Sequence, residues 1–251
     1  MLARVICAVS VFLAAAVMPL PVAASCSNSS VSGTYGFEAS GVDGKGLPTA
    51  AVGQFQATAG TPTGSMVGVE TVSSDGTIAS FSLTGTYSIS SNCTGSFTVH
   101  EAGGVSHYRA VLVEGNSTIE FVETDAGVRN AGNAVQQGAA TCTKKALGTK
   151  YGFQNGGLEI GIGGVIFLDR LSLDGKGGIT GTESGTTAGV PEKGVPVSGT
   201  YSVNSNCIGS AELTPQGGST RNFNFVVVGG GATLFAIESD PMTVITGALK
   251  Q

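Results

Sequence analysis

The sequence is poor in the residues that most catalytic and metal sites use. It contains no tryptophan and only 2 histidines among 251 residues, and charged residues make up 12% of it. Charge is too sparse and helix-forming residues are too few for a coiled coil. The hydrophobic fraction of 41% is too high for a disordered chain, and the 40 glycines follow no three-residue period, which excludes collagen. What is left is a folded protein whose composition argues weakly against catalysis.

Long apolar runs are missing beyond the N-terminus. Residues 1–4 form a short basic start, residues 5–17 are an apolar run, and residues 22–25 supply the small side chains of a cleavage site. This order predicts a secretory signal peptide over residues 1–25. No later segment is long enough for a transmembrane helix, so we expect an exported protein that is periplasmic, at the cell surface or extracellular. Attachment of a lipid to Cys26 is the less favoured alternative.

Positive charge is scarce as well. The formal net charge is −5 at pH 7, which argues against a nucleic-acid partner and against binding to anionic membranes. The one sequence that looks like a phosphate loop, GIGG at residues 161–164, is not followed by a helix pattern and predicts a strand connector. We expect no cofactor, and a partner that is either a protein or a small apolar ligand.

The clearest feature that the sequence does contain is an internal repeat. Residues 83–96, LTGTYSISSNCTGS, return as VSGTYSVNSNCIGS at residues 197–210, and other segments match at nearly the same offset. The sequence therefore predicts a duplicated domain of about 110 residues. The first copy covers residues 26–137, a linker covers 138–145, and the second copy covers 146–251.

The cysteines follow this repeat. Four cysteines follow the predicted signal peptide, and four cysteines in an exported protein allow three disulfide pairings. Cys26 and Cys142 each open a copy, and Cys93 and Cys207 each follow the Gly-Thr-Tyr strand. We therefore predict one bond in each copy, Cys26–Cys93 and Cys142–Cys207.

The hydrophobic period within a copy is two residues, as in a β-strand with one buried and one wet face. Residues 80–89, for example, place Phe81, Leu83, Tyr87 and Ile89 on one face. Short connectors rich in Gly, Asp and Asn favour antiparallel neighbours. We predict two tandem antiparallel β-barrels of about eight short up-and-down strands each, with two β-sandwiches as the alternative. Strands are expected to begin near residues 33, 51, 65, 77, 94, 106, 118 and 127, and near residues 150, 164, 178, 196, 208, 222, 233 and 242.

The candidate site residues follow from this fold. The aromatic residues expected to point into the barrels, where they would hold a ligand or fill the core, are Phe37, Phe55, Phe81, Tyr87, Phe153, Phe167, Tyr201 and Phe225. A polar cluster inside one barrel would involve residues such as Glu38, Asn155 or Glu238. His100 and His107 would lie opposite each other if Gly103 and Gly104 form a two-residue turn, but two ligands do not make a metal site. We predict neither a metal site nor catalytic residues.

The repeat signatures carry a resemblance to known proteins. GTYGF at residues 33–37, GTYS followed by CTG at residues 85–95, and GTYS followed by CIG at residues 199–209 resemble a family of exported bacterial proteins of unknown function. More distantly, an eight-stranded unit that opens with Gly-x-aromatic is similar to the calycin barrels, such as lipocalins and allene oxide cyclase. This resemblance implies an architecture and no particular activity.

Three functional hypotheses remain open. The favoured one is an exported non-enzymatic protein that binds a partner or has a surface or structural role. The second is a lipocalin-like carrier of a small apolar ligand. The third is an isomerase or cyclase similar to allene oxide cyclase, which requires converging polar groups inside a barrel. The interior of the barrels decides between them.

Overall fold

The computed structural model describes residues 25–101, 104–138 and 142–251, so that the predicted signal peptide lies almost entirely outside the described residues. No helix in these ranges is long and apolar enough to cross a membrane. The first eight strands are β1 (Gly33–Val42), β2 (Pro48–Thr58), β3 (Gly64–Ser74), β4 (Thr77–Ile89), β5 (Thr94–Glu101), β6 (Gly104–Val113), β7 (Thr118–Glu123) and β8 (Ala131–Gln136). The next eight are β9 (Lys150–Glu159), β10 (Gly163–Leu173), β11 (Gly178–Thr187), β12 (Val190–Val203), β13 (Ile208–Pro215), β14 (Arg221–Val228), β15 (Thr233–Glu238) and β16 (Thr243–Lys250).

The strands form two closed antiparallel barrels. In barrel 1 each strand from β1 to β8 pairs with the next one along the chain, and β8 returns to pair with β1. Barrel 2 repeats this arrangement with β9 to β16, and β16 pairs with β9. The predicted up-and-down barrels are confirmed, and the alternative of two sandwiches is wrong. Closing each sheet removes the unpaired edges that an open sheet would leave.

The period of two produces the interior of each barrel. On β4, Leu83, Tyr87 and Ile89 are buried, whereas the threonines and serines between them face solvent. Thirteen of the sixteen strands begin within two residues of the predicted start; β2 begins three residues early. The larger misses are β8, which begins at Ala131 after a turn over residues 125–130, and β12, whose hairpin with β11 extends back to Val190.

Both predicted disulfides are present. Cys26 bonds to Cys93 and Cys142 bonds to Cys207, with a Cα–Cα distance of 5.0 Å in each case. The bonds close loops that span 67 and 65 residues. Each disulfide ties the segment that precedes a barrel to the connector after that barrel's fourth strand.

A short 3-10 helix closes one end of each barrel. These helices are Asn28–Val31 and Lys144–Leu147, and the last residue of each is fully buried. The hydroxyl of Tyr87 donates to the carbonyl oxygen of the first residue of the former helix, and the hydroxyl of Tyr201 does the same in the latter, both over 3.0 Å. The end with the β1–β2, β3–β4 and β7–β8 connectors lies opposite and is called the open end of barrel 1.

The barrels pack against each other along an apolar face. Ala50 and Val52 of β2 form a buried cluster with residues of β14, β15 and β16. Gly36 of β1 lets the side chains of Val226 and Val228 approach its backbone. The backbone N–H of Met242 donates to a carbonyl of the β3–β4 connector, which aligns the two barrels side by side.

Candidate binding site

A cavity of about 610 Å³ occupies the open half of barrel 1. This volume falls within the range of pockets that hold small molecules. Most of the lining is apolar, and it comes from all eight strands of the barrel. The principal apolar residues are Phe37, Phe55, Met66, Val72, Phe81, Leu83, Phe97, Val99, Ile119 and Phe121. The cavity therefore has the mainly hydrophobic wall expected of a ligand pocket.

The predicted aromatic residues separate into two groups. Phe37, Phe55 and Phe81 line the cavity, whereas Tyr87 lies at the closed end, where its hydroxyl contacts the 3-10 helix. Those of barrel 2 are Phe153, Phe167, Tyr201 and Phe225, and all four are buried. Sequence reasoning missed three further rings in the cavity wall, those of Phe97, Tyr108 and Phe121.

Three glutamates also line the cavity, and none of them was predicted. Glu70 on β3, Glu101 on β5 and Glu123 on β7 lie on the inward face of their strands. Glu70 is only 6% exposed, and its Oε1 has no hydrogen-bond partner among the described residues. Glu123 accepts a hydrogen bond of 2.9 Å from the side chain of Asn130. A mainly apolar cavity thus contains a small set of converging carboxyl groups.

Two of these carboxyl groups, those of Glu70 and Glu101, hold their protons more tightly than exposed ones do. Burial, reinforced by the negative charge of Glu101, raises the pKa of Glu70 to about 8. Burial and the charge of Glu123 raise the pKa of Glu101. Burial and the nearby carboxylates also raise the pKa of the Tyr108 phenol. The cavity therefore disfavours negative charge on Glu70 and Glu101 and would favour a positive group.

Strand pairing relates the interiors of the two barrels residue by residue, because equivalent residues lie opposite equivalent neighbours. The equivalent pairs are Gly53 and Asp169, Glu70 and Glu183, Glu123 and Glu238, Ser106 and Arg221, and Ala51 and Phe167. Two glutamates are therefore shared by both copies. The small residues Ala51, Gly53 and Ser106 border the open half of barrel 1, and larger side chains stand in their places in barrel 2.

The polar residues of barrel 2 form an internal cluster around an arginine. The guanidinium of Arg221 forms an ion pair with Glu183 and lies 4.5 Å above the centre of the Phe167 ring. Asp169 is 2% exposed and accepts a hydrogen bond of 3.4 Å from Asn155. Burial raises the pKa of Asp169, and the charge of Glu183 raises it further, whereas Arg221 lowers it. The ligand-sized space of barrel 1 is thus filled in barrel 2 by the protein's own side chains.

The three polar residues suggested by the sequence do not share one site. Asn155 and Glu238 lie inside barrel 2, where burial raises the pKa of Glu238 to about 7 although Arg221 opposes this effect. Glu38 lies on the outer face of barrel 1 and lines a cleft of about 1160 Å³ between the barrels. Burial raises its pKa, whereas a hydrogen bond from Asn133 on the neighbouring strand β8 and the charge of Lys250 on barrel 2 favour its charged form. The expectation that Glu38 points into a barrel is wrong, since it follows Phe37 and faces the opposite way.

The histidines do not face each other. His100 pairs with Val105, and His107 pairs with Thr98 on the neighbouring strand. His107 is exposed, and its Nδ1 lies 2.8 Å from a carboxylate oxygen of Asp125. Within the described ranges no three His, Cys, Asp or Glu side chains gather closely enough to hold a metal ion.

The missed glutamates carried a signal that the repeat makes visible. Glu123 and Glu238 stand at matching positions of the two copies, as do Glu70 and Glu183, and each lies on the inward side of its strand. A charged residue on the inward face of a barrel in both copies is a candidate for function. Aligning the strands of the copies, and not only their signatures, would have found these residues.

Comparison with known proteins leaves the assignment of function to the geometry. Neither a scan against protein-family models nor a search of curated proteins finds a match to this sequence. The suspected relationship to exported bacterial repeat proteins stays a prediction.

Proposed function

We propose that this is an exported, non-enzymatic binding protein whose first barrel holds one small molecule. The observation that carries the proposal is the cavity of about 610 Å³ with an apolar wall and a few converging polar groups, which is the usual composition of a small-molecule site. Barrel 2 serves as a scaffold that packs against barrel 1. The two disulfides support export to an oxidising compartment.

The proposal combines two of the hypotheses drawn from the sequence. A carrier requires an internal space, and barrel 1 has one that opens on the side away from its 3-10 helix. The three glutamates in its wall argue against a purely apolar ligand, because burying unpaired carboxyl groups beneath such a ligand costs free energy. The ligand is therefore expected to have a polar group as well as an apolar body.

The test is to fill barrel 1 in the way that barrel 2 is filled. The double variant Ala51→Phe and Ser106→Arg introduces the two side chains that occupy the equivalent places in barrel 2. The full chain and the variant are each incubated with a diverse small-molecule library, separated from unbound compounds and denatured, and the released compounds are identified by mass spectrometry. We expect about one bound molecule per chain in the parent protein and none in the variant.

Two results would overturn the proposal: no compound retained by the parent protein, or the same compounds retained by both proteins. Circular dichroism and thermal unfolding show whether the variant is folded. Should it not fold, the single variant Ala51→Phe narrows the same cavity from a position that lines it.

The enzymatic hypothesis requires converging polar groups inside a barrel, and barrel 2 contains them in Asp169, Glu183 and Arg221. These side chains occupy the place that the cavity has in barrel 1, so the cluster supports a structural role in barrel 2 and does not favour an enzymatic function over binding.

A further inference from the structure

The charges that face the cavity of barrel 1 are almost all negative. Glu70, Glu101 and Glu123 lie in its wall, and Asp43 lies at its rim. Among the described lining residues the one positive side chain is that of Lys45, which is exposed on the β1–β2 connector. No ion pair within 4.0 Å joins Lys45 to any of the three glutamates in the described part of the chain. The deepest carboxyl group, that of Glu70, keeps one oxygen unpartnered.

The second copy shows what a shared glutamate of this fold contacts when a cation is present. In barrel 2 the equivalent of Glu70 is Glu183, and it pairs with the guanidinium of Arg221. The same guanidinium lies over the ring of Phe167, a geometry in which the aromatic face attracts positive charge. The side chain of Arg221 is 13% exposed, so the cation is almost fully enclosed.

Barrel 1 keeps the carboxyl groups but lacks the cation. Ser106 stands where Arg221 stands in barrel 2, and Ala51 stands where Phe167 stands. The space that these two large side chains fill in barrel 2 belongs to the cavity in barrel 1, which is lined by both small residues. An external molecule with a positive head and an apolar body would supply both of the missing parts.

The cavity wall would suit the apolar body of such a ligand as well as its positive charge. The rings of Phe37, Phe81, Phe97, Tyr108 and Phe121 surround the cavity, and those of Tyr108 and Phe121 meet edge to face with their centres 5.6 Å apart. Aromatic faces and carboxylates together form the usual environment of an organic ammonium ion. Inorganic anions and carboxylic acids would face repulsion from the same groups.

We propose that the ligand of barrel 1 is a small organic cation, an amine or guanidine that is protonated at neutral pH and carries an aromatic or aliphatic body. This inference rests on the proposed binding function and names its ligand class. The positive head lies between Glu70, Glu101 and Glu123 and takes the place that Arg221 has in barrel 2. The body lies against the phenylalanine rings deeper in the barrel.

The protonation of the cavity gives the inference a second signature. Because the pKa of Glu70 is raised to about 8, a bound cation stabilises the carboxylate and drives its proton out. Glu101, whose pKa is also raised, faces the same head, with Glu123 and Tyr108 beside it and Asp43 and Lys45 at the rim. Binding is therefore accompanied by release of a proton and becomes tighter as the pH rises toward 8.

The experiment compares three probes of the same shape. The oxidised full chain is titrated at pH 7 in a calorimeter with phenethylamine, with 2-phenylethanol and with 3-phenylpropionate, which carry a positive, a neutral and a negative head. We expect the amine to bind more tightly than either of the others, with a heat that changes with the ionisation enthalpy of the buffer. Glu70→Gln is expected to weaken amine binding roughly tenfold to a hundredfold, the usual effect of losing a hydrogen bond to a charged group, and to leave the alcohol unaffected.

The matched control is Glu238→Gln, which alters a buried glutamate of barrel 2 and is expected to leave amine binding unchanged. A second variant, Ser106→Arg, places a guanidinium among the glutamates of barrel 1 and is expected to abolish amine binding. The inference is wrong if the alcohol or the carboxylate binds as tightly as the amine, or if none of the three binds. It is also wrong if neither Glu70→Gln nor Ser106→Arg weakens binding of the amine. The proposed function fails separately, when the library experiment finds no retained compound of any class.

Discussion

At the scale of single residues, the barrels differ most at the position held by Ser106 in one and Arg221 in the other. The glutamates beside this position are common to both barrels, so the same carboxyl group is unpaired in barrel 1 and paired in barrel 2. Ionisation of an unpaired buried carboxyl group destabilises the protein. Removal of a carboxyl group that forms a buried ion pair also destabilises it, because the partner charge is left unpaired. At alkaline pH, Glu70→Gln and Glu183→Gln should therefore change the free energy of unfolding in opposite directions.

The substitution Glu70→Gln is expected to stabilise the protein at alkaline pH. The pKa of Glu70 is about 8 in the folded state against an ordinary 4.5, so the unfolded chain loses this proton first. The free energy of unfolding therefore falls as the pH rises between these two pKa values. The variant has no carboxyl group at this position and does not lose this stability. We expect near-equal stability at pH 4 and a gain of about 1–3 kcal/mol for the variant at pH 9, measured by urea unfolding.

Glu183→Gln provides the comparison for that experiment. Because it leaves the buried guanidinium of Arg221 without its ion pair, we expect a loss of about 1–3 kcal/mol at both pH values. If Glu70→Gln destabilises the protein at pH 9 as much as Glu183→Gln does, Glu70 is paired in solution. That result would contradict the account of the cavity.

At the scale of strands, the sequence predicted the elements better than the site. The alternation around Leu83 and the repeated Gly-Thr-Tyr signature were enough to place the strands and the disulfides, because both are local patterns. Glu70 and Ser106 lie on β3 and β6, and their shared cavity depends on closure of the barrel across strands that are distant in sequence. The outward direction of Glu38 could have been predicted from the sequence, because Phe37 was expected to point inward and neighbouring residues of a strand face opposite ways.

The contact between β1 and β14 depends on a glycine, Gly36, which has no side chain to keep the two strands apart. A Cβ atom added to Gly36 would lie 2.5 Å from Val228 Cγ1 and 2.8 Å from Val226 Cγ2. Gly152 holds the equivalent place on β9, but it is exposed, and an added Cβ there would find its nearest neighbour 3.9 Å away. The two glycines therefore differ in packing and not in their place within the fold.

We expect Gly36→Ala to cost about 1–3 kcal/mol, as overpacking of a buried contact does. Gly152→Ala should change stability by less than about 0.5 kcal/mol, as most surface substitutions do. Urea unfolding of both variants, followed by circular dichroism, measures the difference. Equal effects of the two substitutions would mean that the barrels are not packed together through β1 in solution.

At the scale of the whole molecule, two barrels of the same strand order have different interiors. The buried cluster around Val52 and Val244 joins them side by side, and the closed ends are built in the same way by a disulfide and a 3-10 helix. The difference lies in the open halves, where barrel 1 has space and barrel 2 is occupied by Arg221 and Phe167. The shared strand signatures do not reveal this division, because it depends on isolated inward positions outside them.

The most direct test is to locate a bound molecule by nuclear magnetic resonance of the full chain with labelled methyl groups. The probe is phenethylamine or, if that does not bind, the compound retained most strongly from the library. Methyl groups that line the cavity of barrel 1 belong to Met66, Leu83 and Ile119, and those in the core of barrel 2 belong to Leu171, Ile179 and Leu213. The account predicts saturable shifts in the first group and none in the second. Shifts confined to barrel 2 or to the cleft between the barrels would contradict it.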